Sequence, residues 1–155
     1  MRVGVGMDAH RLVEGVPLVL GGVELESERG LAGHSDGDVI AHALIDALLG
    51  AAGLGDIGSL FPSDSPEWEG VSSLDLLTRA YTRVREGGWE LVNADCVLVG
   101  EEPRIAPVRT AMQTRLAAAL GVTGGVAVRA TTTDGLGFTG RGEGLAAVAV
   151  ALLER

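Results

Sequence analysis

A chain of 155 residues is long enough to bury roughly 68–70% of the surface its unfolded form exposes, and so to fold as one domain over residues 1–155. The formal net charge of −9 excludes general binding to nucleic acid or to an anionic membrane, because both surfaces would repel the chain. One cysteine excludes an internal disulfide, and with no secretory apolar segment after Met1 and no run near the ~20 residues of a membrane span, a soluble cytoplasmic protein is expected.

The elements follow in chain order. Val3 to His10 alternates as a first strand does, which puts Asp8 and His10, two apart, on one face. Pro17–Leu20 and Val23–Leu25 read as short strands around Gly21–Gly22, and Gly30–Gly37 as a loop. Asp38 to Ala52 has helical apolar spacing, with Val39, Ala43, Ala47 and Leu48 inward. Gly53–Gly70, with Pro62 and Pro66, is a long structured loop of the kind that usually carries function. Ser72 or Ser73 caps a second helix running to about Glu86 with Leu74, Leu77, Tyr81 and Val84 inward, and Gly87–Gly88 stops it. Leu91–Val99 reads as a strand, Pro107 opens a third helix ending at Gly121, and Val126–Thr132 and Leu145–Leu153 are the last strands.

The order β-β-α-α-β-α-β-β predicts an α+β fold, a mixed four-stranded main sheet with helices on one face. Hydrophobic residues make up 46% of the chain but aromatics only 3%, so the core must be built from Val, Leu, Ile and Ala. Successive apolar residues in the last two strands predict burial on both faces, the second by neighbouring subunits. Cys96, inside an apolar run, reads as a small buried hydrophobe.

Three constellations carry chemistry. All three histidines, His10, His34 and His42, lie in the first third of the chain beside acids and glycines. Two imidazoles and a carboxylate form a common zinc set with an open fourth position, so Asp8, His10 and His42 are candidate ligands. Asp38, His42 and Asp46 fall at i, i+4, i+8, so Asp38 or Asp46 is placed to orient His42 through its second N–H. The same residues also read as unrelated solvated groups, and spacing leaves both readings open. His34-Ser35-Asp36-Gly37 precedes a helix and could hold a phosphate, or Ser35 or Asp36 could simply cap it. Thr131-Thr132-Thr133-Asp134-Gly135 followed by Phe138-Thr-Gly-Arg141-Gly-Glu143-Gly makes a candidate phosphate cradle with Asp134 as a Mg²⁺ ligand, or a plain turn with a surface Arg141–Glu143 pair. Gly4-x-Gly6 lacks the third glycine and following helix of a dinucleotide fingerprint.

The motifs together resemble one family along nearly the whole chain: Gly4-Val-Gly-Met-Asp8-Ala-His10-Arg11, Leu20-Gly-Gly-Val23, Gly33-His34-Ser35-Asp36-Gly37-Asp38, His42-Ala-x-x-Asp46-Ala-Leu-Leu-Gly50, Gly55-Asp56-Ile57-Gly58, Phe61-Pro62, Ala130-Thr-Thr-Thr133 and Gly137-Phe138-Thr-Gly-Arg141-Gly-Glu143-Gly144. In this order they are similar to the methylerythritol cyclodiphosphate synthases of the non-mevalonate isoprenoid route. The resemblance implies a homotrimer with active sites between subunits. It implies a cytidine diphosphate-linked substrate, 4-diphosphocytidyl-2-C-methyl-D-erythritol 2-phosphate, whose 2-phosphate attacks the β-phosphorus and expels CMP.

It also implies Zn²⁺ on Asp8, His10 and His42, a second cation, Mg²⁺ or Mn²⁺, on Asp134, and His34 and Thr132 as the residues that stabilise developing charge. Asp8 and His10 would also bind substrate, and His34, Ser35, Asp56, Ile57, Gly58, Phe61, Pro62, Ser63, Asp64 and Ser65 would hold the methylerythritol end. Gly100, Glu101, Glu102, Pro103, Arg104, Ile105 and Ala106, with Thr131, Thr132 and Thr133, would surround the cytidine, and Phe138 and Arg141 would add contacts. The chain departs from the family pattern at Asp134 (usually Glu), Gly135 (usually Lys) and Met7 (usually aromatic). On the residues alone, hydrolysis by a metal-bound water or a trimeric nucleotide sensor would also fit; product analysis separates the first, and the open zinc site argues against the second.

Overall fold

The computed structural model describes residues 1–155. The elements are β1 (Arg2–Glu14), β2 (Leu18–Leu20), β3 (Val23–Leu25), β4 (Arg29–Leu31), α1 (Val39–Ala52), α2 (Ile57–Leu60), α3 (Ser73–Glu86), β5 (Glu90–Val99), α4 (Arg109–Leu120), β6 (Val126–Thr131), α5 (Gly137–Gly140) and β7 (Gly144–Glu154), with 3₁₀ turns at Pro66–Trp68 and Ala106–Val108. The main sheet runs β4-β1-β7-β5-β6, and β2 and β3 form a separate hairpin. Only β5 and β6 are parallel; the other pairs are antiparallel.

The main sheet therefore has five strands where the sequence predicts four. The fifth, β4, lies in the stretch read as a loop, where three residues pair with the far end of β1 at Leu12, Val13 and Glu14. Both partners went unseen for one reason: Arg11–Glu14 and Arg29–Leu31 are too short and too polar to show alternation. Burial on both faces is also not found within the chain. In β6, Val126 and Val128 are buried while Ala127 and Arg129 are exposed, and in β7 fully buried residues alternate with partly exposed ones.

The core lies between the helices and one face of the sheet. Ala94, Cys96 and Leu98 of β5 and Leu145, Ala147, Ala149, Ala151 and Leu153 of β7 point into it. Helix α1 is buried nearly all round, which suits an apolar helix with the sheet on one side and α3 on the other. Burial pushes the Cys96 thiol up to about 12, so it behaves as the small hydrophobe expected.

Two features of this packing set the position of the site. First, α1 lies against the backbone of β1. A Cβ added at Gly6 would sit 2.0 Å from the Ala43 carbonyl oxygen, and one at Gly4 2.1 Å from that of Ala47. Glycine is required at both, because no side chain fits between strand and helix. Second, Gly21 and Gly22 both adopt positive φ, 57° and 75°, as the two-residue hairpin between β2 and β3 demands. Their N–H groups donate to the buried carboxylate of Asp38 at 2.9 and 2.7 Å, and Asp38 also caps α1 by accepting the Ala41 N–H at 3.1 Å. The hairpin and the start of α1 thus share one anchor.

Candidate metal centre and its cleft

Residues 4, 6, 8 and 10 of β1 share the face that meets α1. At Gly4 and Gly6 the helix touches the strand, and where side chains resume, Asp8 and His10 meet His42 one turn into α1. The three donor atoms converge. Asp8 Oδ2 lies 2.8 Å from His10 Nε2 and 3.0 Å from His42 Nδ1, and the two ring nitrogens are 3.1 Å apart. The rings meet edge to face with centroids 5.3 Å apart. One carboxylate oxygen and two imidazole nitrogens, all within 4.8 Å of one another, form a donor set that could hold a metal ion.

The electrostatics follow from this geometry. Burial acts to raise the Asp8 pKa, but hydrogen bonds from His10 and His42 and their charge outweigh it and hold the carboxyl well below the usual range. The hydrogen bond to Asp8 raises His10 above its ordinary value, against desolvation.

The reach of the other acids differs from the sequence expectation. Neither Asp38 nor Asp46 orients His42. Asp38 is consumed by the three backbone donors described above, and burial pushes its pKa up. Asp46 accepts the Ile57 N–H at 2.7 Å and so pins the start of α2. Instead His42 Nε2 lies 2.8 Å from Ser73 Oγ and 2.9 Å from Ser35 Oγ. Nor does Ser35 or Asp36 cap α1, the alternative open in the sequence. Asp36 crosses to α3, where it accepts the Ser73 N–H at 3.0 Å and a short hydrogen bond from the Ser73 hydroxyl. Ser72, at the cap position of α3, makes no side-chain cap bond. Ser73 reads in the sequence only as a helix start and lies 31 residues from His42, so only the folded chain reveals the contact.

A cleft of about 200 Å³ opens over the cluster, lined by Asp8, His10, His34, Ser35, His42, Ile57, Gly58, Phe61, Ser63, Trp68 and Leu76. Trp68 and Leu76 were not singled out in the sequence. Trp68 packs edge to face on Phe61 with centroids 5.0 Å apart, making the apolar wall. His34 Nε2–H donates to the Ser65 carbonyl at 2.9 Å, and the His34 carbonyl accepts the Gly70 N–H at 2.8 Å, which ties the far end of the loop to the cleft. Pro62, Asp64 and Ser65 do not line the cleft; Asp56 turns to its own helix, accepting the Ser59 N–H at 2.8 Å.

The remaining predicted residues form a second group. Gly100 donates its N–H to the Thr131 carbonyl at 3.1 Å, and Glu101 accepts the Gly135 N–H at 3.2 Å, so the loops after β5 and β6 lie side by side. Glu101, Glu102 and Arg141 line a separate cavity, and Pro103 and Arg104 another that also includes Glu101 and Glu102. Ile105 is a core residue with its side chain turned inward, and Ala106 opens a 3₁₀ turn. Thr132 Oγ1 donates to Asp134 at 3.3 Å, and Asp134 holds φ at 52°, a left-handed conformation that Asp tolerates. Thr133 donates to the Leu136 carbonyl, Phe138 is exposed, and Arg141 pairs with Glu143 at 2.8 Å. No residue of this group lines the cleft over Asp8, His10 and His42.

The model of the YgbB family matches residues 1–154. The chain is 57% identical over 154 residues to a 2-C-methyl-D-erythritol 2,4-cyclodiphosphate synthase of Moorella thermoacetica, covering 99% of this chain and 94% of the relative. A 2C-methyl-D-erythritol-2,4-cyclodiphosphate synthase solved in a CDP-bound form superposes with a TM-score of 0.89 at 40% identity, covering 99% of this chain and 100% of that one. The bifunctional IspDF from Campylobacter jejuni superposes with a TM-score of 0.94 at 44% identity over 98% of this chain, which spans 42% of that longer protein. With its sequence and its fold both matched along nearly the full length, the chain belongs to the YgbB family, that of the 2-C-methyl-D-erythritol 2,4-cyclodiphosphate synthases.

Proposed function

We propose that the protein converts 4-diphosphocytidyl-2-C-methyl-D-erythritol 2-phosphate to 2-C-methyl-D-erythritol 2,4-cyclodiphosphate and CMP, as a phosphorus–oxygen lyase of the non-mevalonate route. The observation that carries this reading is the convergence of Asp8, His10 and His42 at the floor of a half-apolar cleft. A 2-phosphate oxygen attacks the β-phosphorus, the bond from that phosphorus to the bridging oxygen breaks, and CMP leaves. The protein forms no covalent bond, so its part is positioning and charge stabilisation.

Two imidazoles and one carboxylate fit Zn²⁺, which when bound supplies Lewis-acid polarisation of a phosphate oxygen. The chain's own residues do the rest. His34, held through Nε2 by the Ser65 carbonyl, stabilises charge at the cleft mouth. Ile57, Gly58 and Phe61 enclose the methylerythritol end and exclude water. Thr132 stabilises the β-phosphate, and Asp134 holds a second cation, Mg²⁺ or Mn²⁺. Gly100–Ala106 with Thr131–Thr133 take the cytidine, and Phe138 and Arg141 add contacts.

The cleft is smaller than the roughly 300–1,000 Å³ of ordinary ligand pockets, and the nucleotide-binding group lines other cavities. Both facts support a homotrimer in which one subunit's cleft meets another's Thr131–Arg141 loop. The uncovered sheet face supports it too: Val3, Val5 and Met7 are 67–69% exposed on β1, next to Val150 on β7. The CDP-bound relative supports the cytidine assignment.

Phosphorus NMR of metal-loaded protein with the diphosphocytidyl substrate tests the reading, with His42→Ala as control. Cyclic diphosphate and CMP from the wild type alone are expected. CMP with a linear phosphate would reassign the protein as a hydrolase.

A further inference from the structure

We infer that Arg79, outside the cleft, is a positioning residue for substrate binding: its guanidinium holds the Trp68 indole against Phe61 and so fixes the apolar wall that the substrate meets. The inference rests on the proposed function for what that wall encloses, the methylerythritol end, and adds the residue that keeps the wall closed.

Trp68 is a partition. Its ring lines the cleft over Asp8, His10 and His42 and also, on the outer side, a groove of about 310 Å³ bounded by Leu60, Phe61, Arg79, Thr82 and Arg83. Behind the indole there is thus an open groove rather than packed core, and the half-buried ring has room to swing outward. On the wall itself Phe61 meets it at 74°, with centroids 5.0 Å apart. The backbone gives no restraint across the groove, because the N–H groups of Phe61 and Trp68 bond to the carbonyls of Ile57 and Ser65, within the same segment. What reaches the ring from the helix side is Arg79, whose guanidinium carbon lies over it, 5.5 Å from the centroid.

The pattern of α3 fits this role. Leu76 and Arg79, at i and i+3, share one side of the helix. Leu76 is buried and lines the cleft, while Arg79, one turn on, is exposed and lines the groove. The same helix pairs Arg83 with Glu86 at 3.9 Å and Arg85 with Glu90 at 3.0 Å. Arg79 makes neither an ion pair nor a hydrogen bond, although the chain has 21 acidic residues against 12 basic ones, and the indole face is its partner. A cation–π contact at an exposed site shifts an equilibrium by about two- to fivefold. The wall touches carbon skeleton that does not change in the reaction, so losing the contact weakens binding and leaves the chemical step alone.

The test uses the full-length, metal-loaded protein labelled with 5-fluorotryptophan. Trp68 and Trp89 are its two tryptophans, and Trp89 lies under Arg2 and Arg155, so the two report separately. Arg79→Gln should shift and broaden the Trp68 fluorine resonance, leave that of Trp89 unchanged, and raise KM for the diphosphocytidyl substrate about two- to fivefold at constant kcat. Arg79→Lys, which keeps a cation near the ring, should fall between Arg79→Gln and the wild type. In a Trp68→Leu background, Arg79→Gln should change KM no further, because the ring it acts through is gone. Circular dichroism matching wild type confirms that each variant is folded. An unchanged Trp68 resonance in Arg79→Gln would overturn the inference. So would a KM rise of the same size in the Trp68→Leu background, which would mean that the guanidinium acts on the anionic substrate directly. A wild type that makes no cyclic diphosphate would instead overturn the proposed function, and the Trp68 resonance would still decide whether Arg79 holds the ring.

Discussion

Replacing Gly6 by Ala tests the link between packing and chemistry with a single methyl group. The backbone at Gly6 is ordinary strand, so alanine is not strained in itself; its Cβ meets the helix. It would lie 2.0 Å from the Ala43 carbonyl oxygen, 2.7 Å from the Ala47 nitrogen and 2.9 Å from the Asp46 Cβ. Two of these atoms are backbone, so no rotamer change relieves the contact. Reaching the 3.4 Å of ordinary van der Waals contact from 2.0 Å means moving α1 off β1 by about 1.4 Å. His42 moves with the helix, while Asp8 and His10 stay with the strand. A donor set converging at 2.8–3.1 Å would open by about half that spacing, far outside the ~0.2 Å tolerance of a metal site. Overpacking of this kind costs about 3 kcal/mol of stability. Guanidinium unfolding followed by circular dichroism reads the stability loss, and competition with a chromophoric chelator reads affinity for Zn²⁺. A Gly6→Ala protein with wild-type stability and wild-type metal affinity would refute the claim that the glycine contact positions the site.

Two further outcomes follow from the same structure. Asp38→Ala strands the N–H groups of Gly21, Gly22 and Ala41 together, and at about 1–2 kcal/mol for each buried donor the loss should be about 4 kcal/mol; a guanidinium midpoint shift worth less than 1 kcal/mol would contradict the shared-anchor role. In metal-free protein the Asp8–His10 pair makes stability depend on pH from both sides. The depressed Asp8 pKa contributes stability above its ordinary 3.8 that is lost as pH falls through the lower folded value, and the raised His10 pKa contributes stability below its ordinary 6.5 that is lost as pH rises through the higher one. The contribution is therefore largest between about pH 4 and 6.5. Melting temperatures of wild type minus Asp8→Asn should peak in that window, and a flat difference would exclude the pair as its source.

Much of the site was legible in the sequence because its ligands sit on regular elements. Period two put Asp8 with His10, and helical spacing from Asp38 put His42 in the first turns of α1. What period could not supply was the partner of each side chain. Asp38 and Asp46 share the helical stripe of His42, yet Asp38 faces a hairpin 16 and 17 residues earlier and Asp46 faces Ile57, because backbone N–H groups of neighbouring segments reach them first. Ser73 reads as a helix start, yet its hydroxyl lies 2.8 Å from His42 Nε2, a relation set by how α3 packs on α1. The strand β4 escaped notice because three residues cannot display a period. The glycines Gly4 and Gly6 were visible as glycines, but their reason, a helix lying on the backbone, belongs to the folded chain.

The cleft has walls of unequal stiffness. Its floor is a strand and a helix packed backbone to backbone at Gly4 and Gly6, with Ala147, Ala149 and Ala151 of the neighbouring strand fully buried beside them. Its opposite wall is residues 53–70, anchored at Ile57 by Asp46 and at Ser65 and Gly70 by His34. Local opening takes the path with the least buried apolar surface, so amide exchange at Ile57 and Gly70 is expected to precede exchange in α1. The donor atoms of Asp8, His10 and His42 are thus held by the stiffer pair of elements, and residues 53–70 form the softer wall.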